Sequence, residues 1–186
     1  MIDLAACTDG ELAALALAGR QRAYRALMDR HRAGVFRLAR GQTGDDDAAL
    51  DITQQSFIAA FAALRRYDGE RPFRHWIARI TLNKCRDYAR RQKVRAFLSF
   101  DLPVDAGDRY GDGTADVEQT LEGRQELARA MAAIARLPGR LKEVIVLRCM
   151  EELSQSETAQ LLGISEKAVE TRLYRARAKL SEIMRG

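Results

Sequence analysis

The sequence is poor in the residues that build disulfide frameworks, metal sites and catalytic centres. It has three cysteines, Cys7, Cys85 and Cys149, whose wide spacing and odd number form neither a disulfide framework nor a CxxC metal pattern. Its two histidines, His31 and His75, have no partner at a ligand spacing such as HExxH. Walker A, GxGxxG and GxSxG motifs are also missing. We therefore expect a non-enzymatic protein of the reducing cytoplasm, with no metal, cofactor or small-molecule substrate.

Membrane spans, signal peptides and extended sheets are equally disfavoured. No run of 18 residues is free of charge, so nothing is expected to insert into a membrane. Asp3 stands where a signal peptide would have its basic region. Only three prolines occur in 186 residues, and aromatic residues make up 6 % of the chain. The abundance of Ala, Leu, Arg, Glu and Gln predicts an all-α fold.

Charge is distributed unevenly along the chain, although the formal net charge is only +5. Residues 65–95 carry eleven Lys or Arg against three acids, whereas residues 101–122 carry seven acids and one Arg. Such asymmetry indicates a polyanionic partner for the basic segment. A membrane surface is the competing partner, and it is disfavoured because the basic segment lacks a broad apolar face.

A segment without helical periodicity divides the chain. It begins at Ser99 and contains Pro103, three glycines and regularly spaced aspartates. We expect two small helical domains, residues 1–96 and 117–186, joined by a flexible acidic linker over residues 97–116.

Apolar spacing predicts the helices of both domains. In the first, we expect a helix from about Gln21 to Arg40, a turn over Gly41–Gly44, and a helix from Phe73 to about Arg91. A helix between these is expected to bury the side chains of Leu50, Phe57, Phe61 and Leu64. In the second, a helix resuming near Val117 is expected to bury those of Leu121, Leu127, Met131 and Ile134.

The C-terminal sequence has the pattern of a helix-turn-helix. Ser154 and Glu157 form a capping box, Gly163 can end that helix, and Ser165 can cap the next. One stripe at helical period is apolar: Val169, Leu173, Ala176 and Leu180. The opposite face carries Lys167, Thr171, Tyr174, Arg175 and Ala178, with Arg172 beside it. DNA binding and a helical hairpin with a solvated basic face both fit this spacing.

Two further polar stripes lie on helices of the first domain. One contains Arg79, Asn83, Arg86 and Arg90, bordered by Trp76. This stripe suits phosphate contacts together with base stacking, and a solvated basic face is its alternative. The other stripe contains Asp51, Gln54, Gln55 and Ile58. It fits either a protein interface or a solvated helix surface.

Both halves of the chain resemble one protein family. DITQQSF at 51–57 and FRHWIARITLNKCRDYARR at 73–91 look like region 2 of the sigma-70 family, in its small extracytoplasmic-function (ECF, group IV) branch. The segment from Ala135 to Leu180 looks like region 4 of the same branch. It has Leu137-Pro138, Gly163-Ile164-Ser165 and the Arg175-Ala176-Arg177 close.

The resemblance implies a sigma factor that joins core RNA polymerase, directs it to promoter DNA and is held inactive by an anti-sigma factor. It implies −10 element binding by Trp76, Arg79, Asn83, Arg86 and Arg90. It implies −35 element binding by Lys167, Thr171, Arg172 and Arg175. The stripe of Asp51, Gln54, Gln55 and Ile58 would then bind the polymerase clamp. Gln55 stands where the family commonly has an acid, which removes one charge from that interface.

Two alternatives stay open at this point. One is a two-domain helix-turn-helix regulator that does not engage polymerase. The other is a sigma mimic that titrates an anti-sigma factor, which the intact basic faces and the lack of a receiver-like sequence disfavour.

Overall fold

The computed structural model describes residues 3–98 and 121–185, which form eight α-helices and no strand. The helices are α1 (Asp9–Leu17), α2 (Gln21–Thr43), α3 (Asp46–Ala62), α4 (Phe73–Leu98), α5 (Leu121–Ala135), α6 (Gly139–Ile145), α7 (Gln155–Leu162) and α8 (Glu166–Arg185). A 3₁₀ turn at Leu64–Arg66 follows α3, and a π-helical turn at Val146–Met150 continues α6. The all-α prediction is confirmed. The predicted linker lies, from residue 99 onward, outside the described residues, and the domain boundaries stay a prediction.

Helices α1–α4 form a bundle that we call the N-terminal bundle. Thr8 and Glu11 cap α1 reciprocally, and the Asp45 carboxylate accepts a hydrogen bond from the backbone N–H of Ala48 at the start of α3. The core of the bundle is apolar and well buried: Leu12, Leu27, Val35, Phe57, Ala60, Leu64, Phe73 and Ile77. Burial of these side chains provides most of the free energy that holds the four helices together.

Two helices of this bundle extend beyond their predicted ends. Helix α2 continues through Gly41 to Thr43 and ends at Gly44, whose φ of 72° is the left-handed conformation that glycine adopts without strain. Helix α4 continues to Leu98 because nothing between Arg91 and Leu98 breaks a helix, although its buried stripe has already ended. The predicted turn over 41–44 is therefore wrong for its first three residues.

Helices α5–α8 and the π-helical turn form the C-terminal bundle. The Ser154–Glu157 capping box is present, and Gly163 ends α7 with φ of 66°. Val169 and Ala176 are fully buried, with Leu173 and Leu180 packed at the edge of the core. The predicted helix-turn-helix is thus formed by α7 and α8.

Two residues predicted to be buried are exposed. Leu50 of α3 is 50 % exposed and Leu127 of α5 is 63 % exposed. Leu127 shares a helix face with Ile134 but lies two turns earlier, where the described helices do not cover it. Leu50 shares a helix face with Phe57 and Phe61 but lies about two turns earlier, near the start of α3. Periodicity identifies the inward face of a helix but not where its packing partners end.

The two bundles pack against each other. Leu38 of α2 and Leu82 of α4 are buried in one cluster with residues of the C-terminal bundle, among them Ile145, Leu147 and Leu161. Helix α2 contacts α5, α6 and the π-helical turn, while α4 contacts α7. Within 3–98 and 121–185, no helix has both the length and the apolarity needed to cross a bilayer.

Candidate nucleic-acid interfaces and docking groove

The basic stripe of α4 lies on the side of the N-terminal bundle that faces the C-terminal bundle. Most side chains of this stripe are exposed: Arg79, Asn83, Arg86 and Arg90. Trp76 at its border is half-buried. Arg90 Nη2 lies 3.5 Å from Asp87 Oδ1 on its own helix, and the Arg90 side chain is largely in solvent. Arg79 and Arg86, by contrast, bind atoms of the C-terminal bundle. The predicted −10 residues therefore lie on one face of α4, and the C-terminal bundle contacts part of that face.

Arg86 is bound bidentately by Glu143 of α6. Arg86 Nε donates to Glu143 Oε1 at 2.6 Å and Nη2 donates to Oε2 at 3.0 Å, while Nη1 donates to Asn83 Oδ1 at 3.2 Å. The Glu143 side chain is only 10 % exposed, which makes the guanidinium its compensating charge. The hydrogen bond to Glu143 raises the pKa of Arg86. All three guanidinium nitrogens of Arg86 are consequently occupied.

A second set of contacts joins α4 to α7. Arg79 Nη2 donates to the backbone carbonyl of Gln160 at 2.7 Å. Arg74 Nη2 and His75 Nε2 each lie 3.3 Å from Glu157 Oε1. Glu157 also caps α7, and its hydrogen bond from the Ser154 backbone lowers its pKa. Glu157, which caps the first helix of the helix-turn-helix, thus also contacts α4 of the N-terminal bundle.

Trp76 lines a cavity of about 670 Å³ between the bundles. Its ring packs on Tyr67 and Phe73, with centroid separations of 5.3 and 5.4 Å. Arg71 and Arg79 line the N-terminal side of the cavity, and Gln160 with Leu161 lines the other. An aromatic ring beside arginines can stack a nucleic-acid base and bind its phosphate.

The basic face of α8 is formed mainly by exposed side chains. Lys167, Thr171 and Arg175 are exposed and Arg172 is half-buried. Lys167 Nζ is 2.9 Å from Glu170 Oε2, and the Thr171 hydroxyl donates to the Lys167 carbonyl at 2.9 Å. Both contacts lie within α8.

The polar stripe of α3 borders a groove of about 640 Å³ between α2 and α3. Asp51 and Gln54 are exposed, and Gln55 Nε2 donates to Asp51 Oδ2 at 2.7 Å. Ile58 is 63 % exposed at the groove wall, where Leu50 adds a second apolar side chain. Apolar side chains among a few polar groups are the composition of a protein-docking surface.

Sequence reasoning missed several residues of these sites. Glu143, Glu157 and Gln160 contact the α4 arginines from more than fifty positions away, and a local pattern carries no signal for such pairing. Leu50 also lines the groove, although its i, i+7, i+11 spacing with Phe57 and Phe61 predicts a core position.

A helix-turn-helix, a second basic helix and a groove with apolar side chains are features typical of a two-bundle DNA-binding protein. Comparison with known proteins gives the family. Residues 27–95 match the model of sigma-70 region 2, and residues 127–180 match that of sigma-70 region 4.

Relatives match over nearly the whole chain. RNA polymerase sigma factor CnrH of Cupriavidus metallidurans is 41 % identical over 181 residues, covering 95 % of this chain and 94 % of CnrH. ECF RNA polymerase sigma factor SigW of Bacillus subtilis is 29 % identical over 171 residues, covering 90 % of this chain and 91 % of SigW.

Solved structures are similar as well. CnrH in complex with the cytosolic domain of CnrY aligns with a TM-score of 0.69 and 38 % identity, covering 95 % of this chain and 96 % of that one. Sigma factor RpoE from Bartonella quintana, solved with the anti-sigma factor NepR, shares the fold with a TM-score of 0.71 at 17 % identity, over 87 % of this chain and 96 % of that one. The chain belongs to the sigma-70 family of RNA polymerase sigma factors, in its extracytoplasmic-function branch.

Proposed function

We propose that this protein joins core RNA polymerase as its sigma subunit, directs it to promoters with a −35 and a −10 element, and helps open the DNA at the −10 element. The observation that carries the proposal is the presence of two separate basic helical faces and an apolar docking groove on one chain of this family. The role is non-enzymatic, because polymerase supplies the chemistry.

The α4 face is proposed to bind the −10 element. The arginines Arg79, Arg86 and Arg90 would neutralise phosphates, Asn83 would bind a base edge, and Trp76 would stack on an unpaired base. Unstacking a base costs a few kcal/mol, which stacking and edge hydrogen bonds must offset. Support comes from the position of all five residues on one face of a single helix.

The α8 face is proposed to read the −35 element as duplex DNA. Lys167, Thr171, Arg172 and Arg175 lie along the second helix of a helix-turn-helix, the element that enters the major groove in this motif. Arginine and lysine there can bind guanine edges or phosphates, and a threonine hydroxyl suits either base or backbone.

The groove beside Asp51, Gln54, Gln55 and Ile58 is proposed to dock on the polymerase clamp. Its apolar wall would supply most of the affinity and its polar residues the orientation. The three surfaces are assigned to a region 2 domain at 1–96 and a region 4 domain at 117–186.

The proposed location is the cytoplasm, where polymerase is found. A regulatory protein is a further proposed partner, and the resemblance leads us to expect an anti-sigma factor. The structure of the relative CnrH with the cytosolic domain of CnrY supports a partner of this kind.

The test is transcription by core polymerase on fragmented genomic DNA of the source organism, with and without the purified chain. We expect transcripts with defined start sites only when the chain is added. If the chain binds DNA fragments but neither associates with core polymerase nor changes transcription, the proposed function is wrong. The chain would then be a helix-turn-helix regulator that does not engage polymerase.

A further inference from the structure

We propose that helix α1 positions Trp76 for stacking on a base. It acts through a backbone contact between Gly10 and Gly69 and through the ring of Tyr67. The inference rests on the proposed function, in which Trp76 stacks on an unpaired base of the −10 element. Helix α1 carries none of the residues assigned above to DNA or to polymerase. Its proposed role is therefore to hold a neighbouring residue in place and not to touch DNA itself.

Gly10 lies where the backbone of another segment comes close to α1. It is the second residue of α1, a position at which alanine would ordinarily be the better helix former. A Cβ at Gly10 would lie 2.6 Å from the carbonyl oxygen of Gly69, far inside van der Waals contact. Because the obstructing atom belongs to the backbone, either α1 or the segment around Gly69 would have to move.

Helix α1 is the more firmly held of the two segments. The Asp9 carboxylate accepts a hydrogen bond from Arg30 Nη1 at 2.7 Å and lies 2.9 Å from His31 Nε2, so the start of α1 is bound to α2. The apolar side of α1 is buried in the core of the N-terminal bundle. The segment around Gly69 is exposed. A side chain at Gly10 is therefore expected to displace that exposed segment and to leave α1 in place.

The segment around Gly69 is expected to move as a unit. It forms a tight turn over Asp68–Arg71, in which the Arg71 backbone N–H donates to the Asp68 carbonyl at 3.0 Å. The Asp68 carboxylate accepts from the Glu70 N–H at 3.2 Å and lies 3.1 Å from Arg71 Nε. Because these contacts fix the four residues relative to one another, displacement at Gly69 carries the whole 68–71 turn with it.

Tyr67 connects the 68–71 turn to Trp76. Its hydroxyl donates to the Arg71 carbonyl at 2.5 Å. Its ring packs on Trp76 and on the buried Phe73, with centroid separations of 5.3 and 5.2 Å, and the rings of Phe73 and Trp76 are 5.4 Å apart. Tilted and edge-on arrangements of this kind are the favoured ones for aromatic pairs. A shift of the 68–71 turn is therefore expected to move the Tyr67 ring and to loosen the packing that orients Trp76.

The Tyr67 hydroxyl can maintain this connection across the neutral pH range. Burial, together with the negative charge of Asp9, raises the pKa of Tyr67 to about 12. The phenol therefore stays protonated near neutral pH, and its O–H remains a donor to the Arg71 carbonyl. The effect of Asp9 also indicates that the start of α1 lies close to this side chain.

The experiment compares the full-length wild type with Gly10→Ala and Tyr67→Leu. Gly139→Ala is the matched control, since Gly139 also lies at the start of a helix and a Cβ there meets nothing within 4 Å among the described residues. Circular dichroism establishes folding, and the emission of Trp76, the one tryptophan of the sequence, reports its surroundings in the free chain. Single-round transcription by the holoenzyme is then measured on a mapped promoter, once as a full duplex and once with the −10 element premelted by mismatches.

In Gly10→Ala and Tyr67→Leu we expect Trp76 emission to move to longer wavelength, because water gains access to the ring. Transcription from the duplex promoter should fall about tenfold, the size of the loss when one base loses its stacking partner. Transcription from the premelted promoter at saturating holoenzyme should stay within about twofold of the wild type, because the mismatches replace the opening step. Gly139→Ala should match the wild type throughout.

The double variant tests whether the two residues act along one path. Adding Gly10→Ala to Tyr67→Leu should lower duplex transcription by less than about twofold further, because both changes act through the same ring. A full second loss would mean that Gly10 does not act through Tyr67, and it would overturn the inference.

Two further results would contradict the inference. One is a folded Gly10→Ala with wild-type Trp76 emission or with wild-type transcription from the duplex. The other is an equal loss on the duplex and premelted promoters, which indicates a merely structural role. If Gly10→Ala does not fold, Tyr67→Leu decides by the same criteria.

The inference and the proposed function can fail separately. If Gly10→Ala matches Gly139→Ala while the wild type directs transcription by core polymerase, the role of α1 is wrong and the sigma role stands. If the wild type supports transcription from neither promoter form but Trp76 emission shifts as expected, the proposed function fails and the positioning of Trp76 by α1 stands.

Discussion

Arg86 and Glu143, which lie 57 residues apart in the chain, form a bidentate ion pair between the two helical bundles, with N–O distances of 2.6 and 3.0 Å. The pair joins a residue of the proposed −10 face to a carboxylate of the bundle that would bind the −35 element. Asn83 accepts the third guanidinium hydrogen bond. Arg86, which is proposed to bind the −10 element, is thus bound by the C-terminal bundle, which is proposed to bind the −35 element.

Replacing Asn83 by Ala should lower affinity for a −10 fork-junction DNA about tenfold, because an edge hydrogen bond to a base is worth roughly 1–3 kcal/mol of discrimination. Asn83 is exposed, so the free energy of unfolding should change by no more than about 0.5 kcal/mol. The affinity can be measured by fluorescence anisotropy, with holoenzyme titrated onto a labelled fork-junction DNA whose sequence comes from a promoter that the protein is found to use. Gln92→Ala, an exposed amide on the same helix, is the control. A large fall in Tm with Asn83→Ala would make the residue structural instead.

The change Arg175→Ala should weaken binding to a −35 duplex by about tenfold. The slope of log affinity against log salt concentration should become shallower by about 1, because one phosphate contact is lost. The side chain is exposed on α8, so the fold should be unaffected. Arg177→Ala removes another exposed arginine of the same helix and should have little effect. Equal losses in the two variants would mean that general positive charge, and not the proposed face, binds the duplex.

A charge placed in the α3 groove should prevent association with core polymerase. Ile58→Asp puts a carboxylate where an apolar side chain is 63 % exposed, so docking is lost while Tm stays within a few degrees of the wild type. Val94→Asp is the matched control, since Val94 of α4 is 52 % exposed outside the groove. Size-exclusion chromatography with core polymerase separates the two outcomes. Normal association of Ile58→Asp would remove the groove from the interface.

Glu151→Gln should raise Tm by about 1–3 °C at pH 7. Burial raises the pKa of Glu151, its Oε1 atom has no hydrogen-bond partner in the part of the chain that the structure describes, and Arg37 Nε is 3.8 Å from it. A carboxyl whose pKa is higher in the folded than in the unfolded protein lowers the stability of the fold as the pH rises. The loss begins near the unfolded pKa of about 4.5 and is complete once the pH exceeds the pKa of the folded state. The advantage of glutamine should therefore shrink as the pH falls toward 4.5.

Thermal unfolding followed by circular dichroism between pH 4.5 and 8 would test the sign. Glu182→Gln, in which an exposed carboxylate is removed, should show no such advantage at pH 7, since the hydrogen bond from Lys179 lowers the pKa of Glu182. A lower Tm for Glu151→Gln at pH 7, or a difference that does not vary with pH, would contradict the expectation.

The helical fold, both capping boxes and the inner stripe of α8 were predictable because caps and periodicity are local properties of the sequence. The grouping of Arg79, Asn83 and Arg86 was predictable for the same reason. The extent of α2 was not, because Gly41 could either end a helix or allow another helix to approach it closely, and only packing decides between these. The pairing of Arg86 with Glu143 depends on how two bundles meet, which no local pattern encodes.

The most direct measurement is permanganate reactivity of thymines upstream of a mapped start site, taken with core polymerase, the purified chain, or both. Promoter opening by a sigma subunit predicts unpaired, reactive thymines at the −10 element only when polymerase and chain are both present. Protection of the same DNA by the chain alone, with no reactive thymines after polymerase is added, would contradict it.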